Sequence, residues 1–229
     1  MWYEDRWSSG TNRGYAVATS TSPAGPFTTI VESTTTHGSG RVGDYDLFVD
    51  TDGSAYHVRT GVVVEKLNDT YTGTTGQITS FVDGTVEGPS MFVRRGPDGV
   101  STYYITLGVG CCACRGGSNI EVYTGPSALG PFTYRGDVGT NKSQAVDRHS
   151  PYNYVTHAQG SKVFSVIAAD GTEQFVWLGN QWVTATEPGR PRNHDLLYWA
   201  ILEFDDTVSP PMIKQLSRTD NITLSLPDV

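Results

Sequence analysis

Residues 14–27, Gly-Tyr-Ala-Val-Ala-Thr-Ser-Thr-Ser-Pro-Ala-Gly-Pro-Phe, recur in outline at residues 119–132, Asn-Ile-Glu-Val-Tyr-Thr-Gly-Pro-Ser-Ala-Leu-Gly-Pro-Phe. In each copy a β-branched and aromatic run passes into a turn of small residues, and Gly-Pro-Phe opens the next strand. Phe27 and Phe132 are 105 residues apart, which makes two units of about fifty residues, the size of a propeller blade. A radial array of four-stranded sheets is one way for many short strands to avoid open edges. A β-sandwich uses similar strands but does not explain a repeat of this length.

The rest of the chain agrees. Leu47–Asp50, Ala55–Val58, Ser101–Leu107, Ile120–Tyr123 and Lys162–Ile167 are short β-type runs, and no window keeps a helical stripe between caps. Asp52-Gly53, Asp98-Gly99 and Asp170-Gly171 stand between such runs, where the pair predicts two-residue hairpin turns that tolerate positive φ. The 229 residues include 26 Gly and 12 Pro, so turns are frequent. No linker interrupts them, and residues 1–229 read as a single all-β domain.

Composition excludes several classes. Sixteen Lys and Arg face 24 Asp and Glu, for a net charge of −8, which argues against nucleic acid and against anionic membrane surfaces. No apolar run is long enough to span a bilayer. Met1 is followed by Trp2-Tyr3-Glu4-Asp5 rather than by a basic and then an apolar stretch. Sequons at Asn68, Asn141 and Asn221 lean toward a secreted origin. The three cysteines are Cys111, Cys112 and Cys114. With no second pair to complete a tetrahedral site, a local disulfide or a structural thiol knot is the favoured reading, and no metal site is assigned.

Four segments resemble glycoside hydrolase family 43, the five-bladed propeller enzymes. They are Asp44-Tyr45-Asp46-Leu47-Phe48-Val49-Asp50-Thr51-Asp52-Gly53 with Tyr56, Glu87-Gly88-Pro89 with Tyr103-Tyr104, Ser143-Gln144, and Leu178-Gly179-Asn180-Gln181-Trp182. Trp2-Tyr3-Glu4-Asp5 is similar to a strand of the exo-β-1,3-galactanase branch, without its Gly. Two features depart from the family. The chain begins after the strands that bring a general-base Asp to the axis, so blade one is expected to be incomplete. Gly43 stands where an Arg often precedes the blade-two Asp.

The resemblance implies hydrolysis of terminal galactosyl, or related arabinosyl or xylosyl, linkages in a polysaccharide or oligosaccharide. It also implies inversion, no cofactor, an extracellular monomer and, as the one ion to consider, an axial calcium that nothing in the sequence indicates. Inversion needs an acid and a water-activating group across the ring, roughly 6.5–9.5 Å apart. Glu87, at a strand start beside other carboxylates, is the expected acid, because desolvation and a nearby anion both favour its protonated form. Asp44 is its expected partner, with Asp46 the rival on the same strand face. Gln144 is expected to orient water, with Glu4 as a second carboxylate. Tyr3, Tyr45, His194 and Trp199 are the expected sugar contacts, and Trp2 and Trp182 are further aromatic platforms. Asp50 and Asp52 read as turn residues. The rival readings are a carbohydrate-binding propeller that has lost its base and a propeller scaffold for protein partners.

Overall fold

The computed structural model describes residues 1–5, 14–39, 42–81, 86–109, 116–141, 154–184 and 195–227. Within them the secondary structure is all β. Strands β1 (Trp2–Asp5), β2 (Gly14–Thr19) and β3 (Thr28–Thr34) form a first antiparallel meander. The second sheet is β4 (Tyr45–Val49), β5 (Ala55–Arg59), β6 (Val63–Leu67) and β7 (Thr74–Ser80). The third is β8 (Val86–Arg95), β9 (Ser101–Val109), β10 (Glu121–Gly125) and β11 (Thr133–Asp137). A fourth contains β12 (Gln159–Ile167), β13 (Glu173–Gln181) and β14 (Leu196–Leu202), and β15 (Phe204–Asp205) pairs with β16 (Met212–Ile213). Each sheet follows chain order, as in propeller blades. Among the described residues the first sheet has three strands and a fifth full blade is not present.

The core lies between the sheets. Trp2, Tyr15 and Val17 of the first sheet meet Ala55 and Leu67 of the second. Phe48, Tyr56 and Val58 of the second meet Met91, Ile105 and Leu107 of the third. Phe92 and Tyr104 of the third meet Val163, Phe175 and Trp177 of the fourth. Strand period two explains this stacking: Tyr45 and Leu47 face the first sheet, whereas Asp46 and Phe48 face the third.

The two repeated segments occupy equivalent places. One joins β2 to β3 and the other joins β10 to β11, each through a cis Gly-Pro bond at Gly25-Pro26 or Gly130-Pro131. The Asp-Gly turns differ from expectation. In all three only the glycine takes a positive φ, and its N–H donates to the carbonyl three residues back: Asp50, Gly96 or Ala168. These are three-residue loops in which glycine forms the left-handed bulge. The aspartate instead accepts the N–H two residues on, at Ser54, Val100 or Thr172.

Strands β4, β8 and β12 lie side by side and are tied by polar side chains. Ser90 Oγ donates to Asp46 Oδ2 at 2.9 Å and accepts the Val163 N–H at 2.9 Å. Asp46 Oδ2 also accepts the Met91 N–H at 2.9 Å, and Asp46 Oδ1 pairs with Lys162 Nζ. Each inner strand therefore has a fixed height relative to its neighbours.

Candidate active site

The starts of these three strands meet at one end of the molecule. Asp44 precedes β4, Glu87 is the second residue of β8, and Gln159 opens β12. Asp44 Oδ2 accepts the Gly88 N–H at 3.0 Å and the Gln159 side-chain N–H at 3.4 Å. The Glu87 and Asp44 carboxyls share a hydrogen bond. Gln159 Oε1 accepts the Trp182 indole N–H at 2.7 Å. Side chains from three successive sheets thus converge on one carboxylate.

A bulge makes this geometry. On β8 the register with β9 slips between Glu87 and Ser90, which re-aims side chains where it occurs. Gly88 carries the bulge at φ +55°, and a Cβ there would come within 1.9 Å of the Gly160 carbonyl oxygen. Glycine is required on both counts. With no side chain at Gly88, β8 and β12 approach closely and the Gly88 N–H points at Asp44.

The electrostatics follow from the placement. Partial burial is the largest influence on Glu87; the Asp44 charge and its hydrogen bond add to it, and together they push the Glu87 carboxyl up to about 7. A proton therefore remains on Glu87 near neutrality.

Asp44 and Asp46 share a strand face, yet their surroundings separate them. Asp44 is exposed at the open end. Asp46 is 6% exposed and engaged by Lys162, Ser90 and Met91. Of the two, Asp44 is the partner of Glu87, and Asp46 belongs to the core.

Glu4 is half-buried on β1 opposite Tyr15. Its charge reaches both Tyr15 and Tyr45 and helps burial raise them, Tyr15 to about 12. The Tyr15 hydroxyl donates to the Gly43 carbonyl at 3.0 Å and accepts the Gly43 N–H at 3.1 Å, fixing the residue before Asp44. A Cβ at Gly43 would lie 3.3 Å from Thr60 Oγ1, a close approach. Tyr45 donates its hydroxyl hydrogen to the Trp2 carbonyl and packs its ring, tilted, against His57. It shapes the junction between the first two sheets, with its hydroxyl occupied.

Two expected sugar contacts lie elsewhere. Tyr3 alternates to the other face of β1 and bonds Thr29 Oγ1 at 2.8 Å. Trp199 is 40% exposed on β14 and stands edge-on to Phe164, partway along its sheet. Trp2 is 4% exposed and donates its indole N–H to the Tyr71 carbonyl, so it is core. Gln144, His194, Cys111, Cys112 and Cys114 lie outside the described residues. Among the described residues no group of three His, Cys, Asp or Glu is arranged to hold a metal, and no helix is long and apolar enough to cross a membrane.

Gln159 was missed in the sequence because the β12 alternation begins only at Lys162. The register of β12 shifts between Gly160 and Lys162, so Gln159-Gly160-Ser161 reads as a polar turn.

Residues 1–191 match the family described as Glycosyl hydrolases family 43, and the chain belongs to that family. Solved structures with the same fold include a family 43 β-1,3-galactosidase with galactodeoxynojirimycin (22% identity, TM-score 0.60, covering 90% of this chain and 68% of that one). An exo-β-1,3-galactanase from Clostridium thermocellum has 20% identity and a TM-score of 0.60, covering 87% of this chain and 41% of that one. The exo-β-1,3-galactanase from Phanerochaete chrysosporium with galactose has 17% identity and a TM-score of 0.58, covering 93% and 44%. The chain thus spans less than half the length of these two galactanases. A search of curated proteins gives no match.

Proposed function

We propose that this protein is a glycosidase that removes terminal β-1,3-linked galactose from galactan-type polysaccharide. Glu87 is its general acid and Asp44 the anion that keeps the acid charged with its proton. The observation that carries this reading is the Glu87–Asp44 pair at the open ends of β8 and β4, with Glu87 pushed up to about 7. A carboxylic acid still protonated near neutrality can donate to a departing glycosidic oxygen. Galactan as the substrate class rests on family membership and on the fold neighbours. One of these is a Glu-to-Gln variant of the Phanerochaete chrysosporium exo-β-1,3-galactanase with β-1,3-galactotriose.

Inversion is part of the proposal. It needs a water on the opposite face of the sugar ring, and Glu4, half-buried on β1, is the carboxylate proposed to orient it. Galactan is a polymer met outside the cell, so the reading carries an extracellular location. The experiment is galactose release from β-1,3-galactan by the full chain and by Glu87→Gln. Release that falls by about 10²–10⁴-fold in the variant supports the proposal. Undiminished release refutes Glu87 as acid, and saturable binding without turnover by the parent refutes the enzyme.

A further inference from the structure

We propose that Trp182 is a positioning residue. Its indole N–H locks the Gln159 amide with the amino end toward Asp44, and this steadies the Asp44 carboxylate that faces the Glu87 acid. The inference rests on the proposed role of Glu87 and deepens it.

An amide oxygen only accepts and an amide nitrogen only donates, and an indole N–H is a donor alone. Trp182 therefore selects the oxygen end of Gln159, at 2.7 Å, and leaves the amino end for Asp44 Oδ2 at 3.4 Å. Gln159 is 4% exposed, so water is poorly placed to substitute for either partner. If the amide turned over, its carbonyl oxygen would face the Asp44 carboxylate, two acceptors with no proton between them.

The donors around Asp44 support the charge that faces Glu87. The Gly88 N–H, at 3.0 Å, and the Gln159 amino group both favour a negative Asp44. Glu87, half-buried and facing that charge, then holds the proton. With the Gln159 donor withdrawn or reversed, the charge facing Glu87 is less well supported and Glu87 is less often an acid. Trp182 stands just beyond the end of β13, and Gln159 opens the neighbouring β12. The fourth sheet thereby sets the protonation of a pair held by the second and third.

The test is a double-mutant cycle on the full chain with β-1,3-galactan. Trp182→Phe keeps a ring and removes the N–H; Gln159→Met keeps length and removes the amide. Each single change is expected to lower kcat by roughly tenfold with KM within about twofold, and the double variant to be no worse than Gln159→Met alone, because the indole N–H reaches Asp44 through the amide. Losses that multiply, or a raised KM with unchanged kcat, as for a sugar platform, overturn the inference.

Glu87→Gln, run alongside, separates the two claims. Full activity in that variant sinks the acid assignment. An inactive Glu87→Gln together with an undiminished Trp182→Phe sinks only the positioning role. A second readout needs no turnover: the carbon-13 signal of the Glu87 carboxyl at pH 6. Trp182→Phe and Gln159→Met are each expected to lower proton occupancy on Glu87. Occupancy unchanged in both folded variants refutes the inference.

Discussion

Asp44 and Asp46 are two residues apart on one face of one strand, and they do different work. Asp46 is buried and meets a cation, a hydroxyl and a backbone N–H. Asp44 lies at the open end and meets another carboxyl. A carboxylate enclosed by donors holds strands together. A carboxylate beside a second acid raises that acid's affinity for a proton. Position along the strand sets the difference, because the inner strands are tied below their ends and open at them.

The largest effect that would break this comparison is expected at Glu87. Glu87→Gln should lower galactan turnover by about 10²–10⁴-fold while leaving thermal stability close to that of the parent. A large loss of stability instead would place Glu87 with Asp46, among the core groups.

Asp46→Ala should do the reverse. It removes the partner of Lys162 and strands Ser90, and breaking such a buried pair costs about 3–5 kcal/mol. Lys162 is 37% exposed, so the expectation is reduced to about 2–3 kcal/mol, a fall in Tm of roughly 5–10 °C for a chain of this size. Calorimetry checks it, and a Tm within a degree of the parent's contradicts it.

Asp44→Asn comes next. With the neighbouring charge gone, Glu87 ionises at lower pH, so the alkaline limb of the pH–rate profile should move to lower pH and kcat at pH 7 should fall by roughly tenfold. An unmoved limb would separate Asp44 from the chemistry.

The smallest effect contrasts Glu87 with His57. His57 is fully buried among Tyr15, Trp2 and Tyr45, with ring centroids at 4.4, 5.1 and 5.1 Å. Burial chiefly, with Arg59 nearby, pushes it down to about 3. The unfolded chain takes up a proton near 6.5 that the folded chain refuses. Stability from this group is present above that pH and is lost as pH falls toward 3, by about 1.4 kcal/mol per unit. Glu87 runs the other way: the folded chain keeps a proton that the unfolded chain sheds, so its contribution is lost as pH rises from 4.5 to about 7. Between 4.5 and 6.5 the two slopes oppose each other. His57→Phe should flatten the acid side of the stability profile in urea titrations at pH 5 and pH 7, and an unchanged profile would deny the burial of a neutral imidazole.

These contrasts also separate what the chain spells out from what packing decides. The strand-starting places of Asp44 and Glu87 were legible because alternation and Gly-Pro signals surround them. Gln159 was not, since a bulge breaks the alternation just after it. Tyr3 was named as a sugar contact from its aromatic ring alone, and the alternation along Trp2-Tyr3-Glu4 places its hydroxyl against Thr29. The burial of Trp2 and His57 depends on four strands meeting across two sheets, which no single stretch displays. The Asp-Gly pairs marked the hairpins correctly, but aspartate there caps the turn with its side chain and keeps an ordinary φ.

The most direct test is the titration of the Glu87 carboxyl by carbon-13 resonance in the parent and in Asp44→Asn. A midpoint near 7 that moves to lower pH in the variant, yet stays above 4.5 because Glu87 is still partly buried, is the expected result. A parent Glu87 that titrates near 4.5 with the surface glutamates would contradict the account.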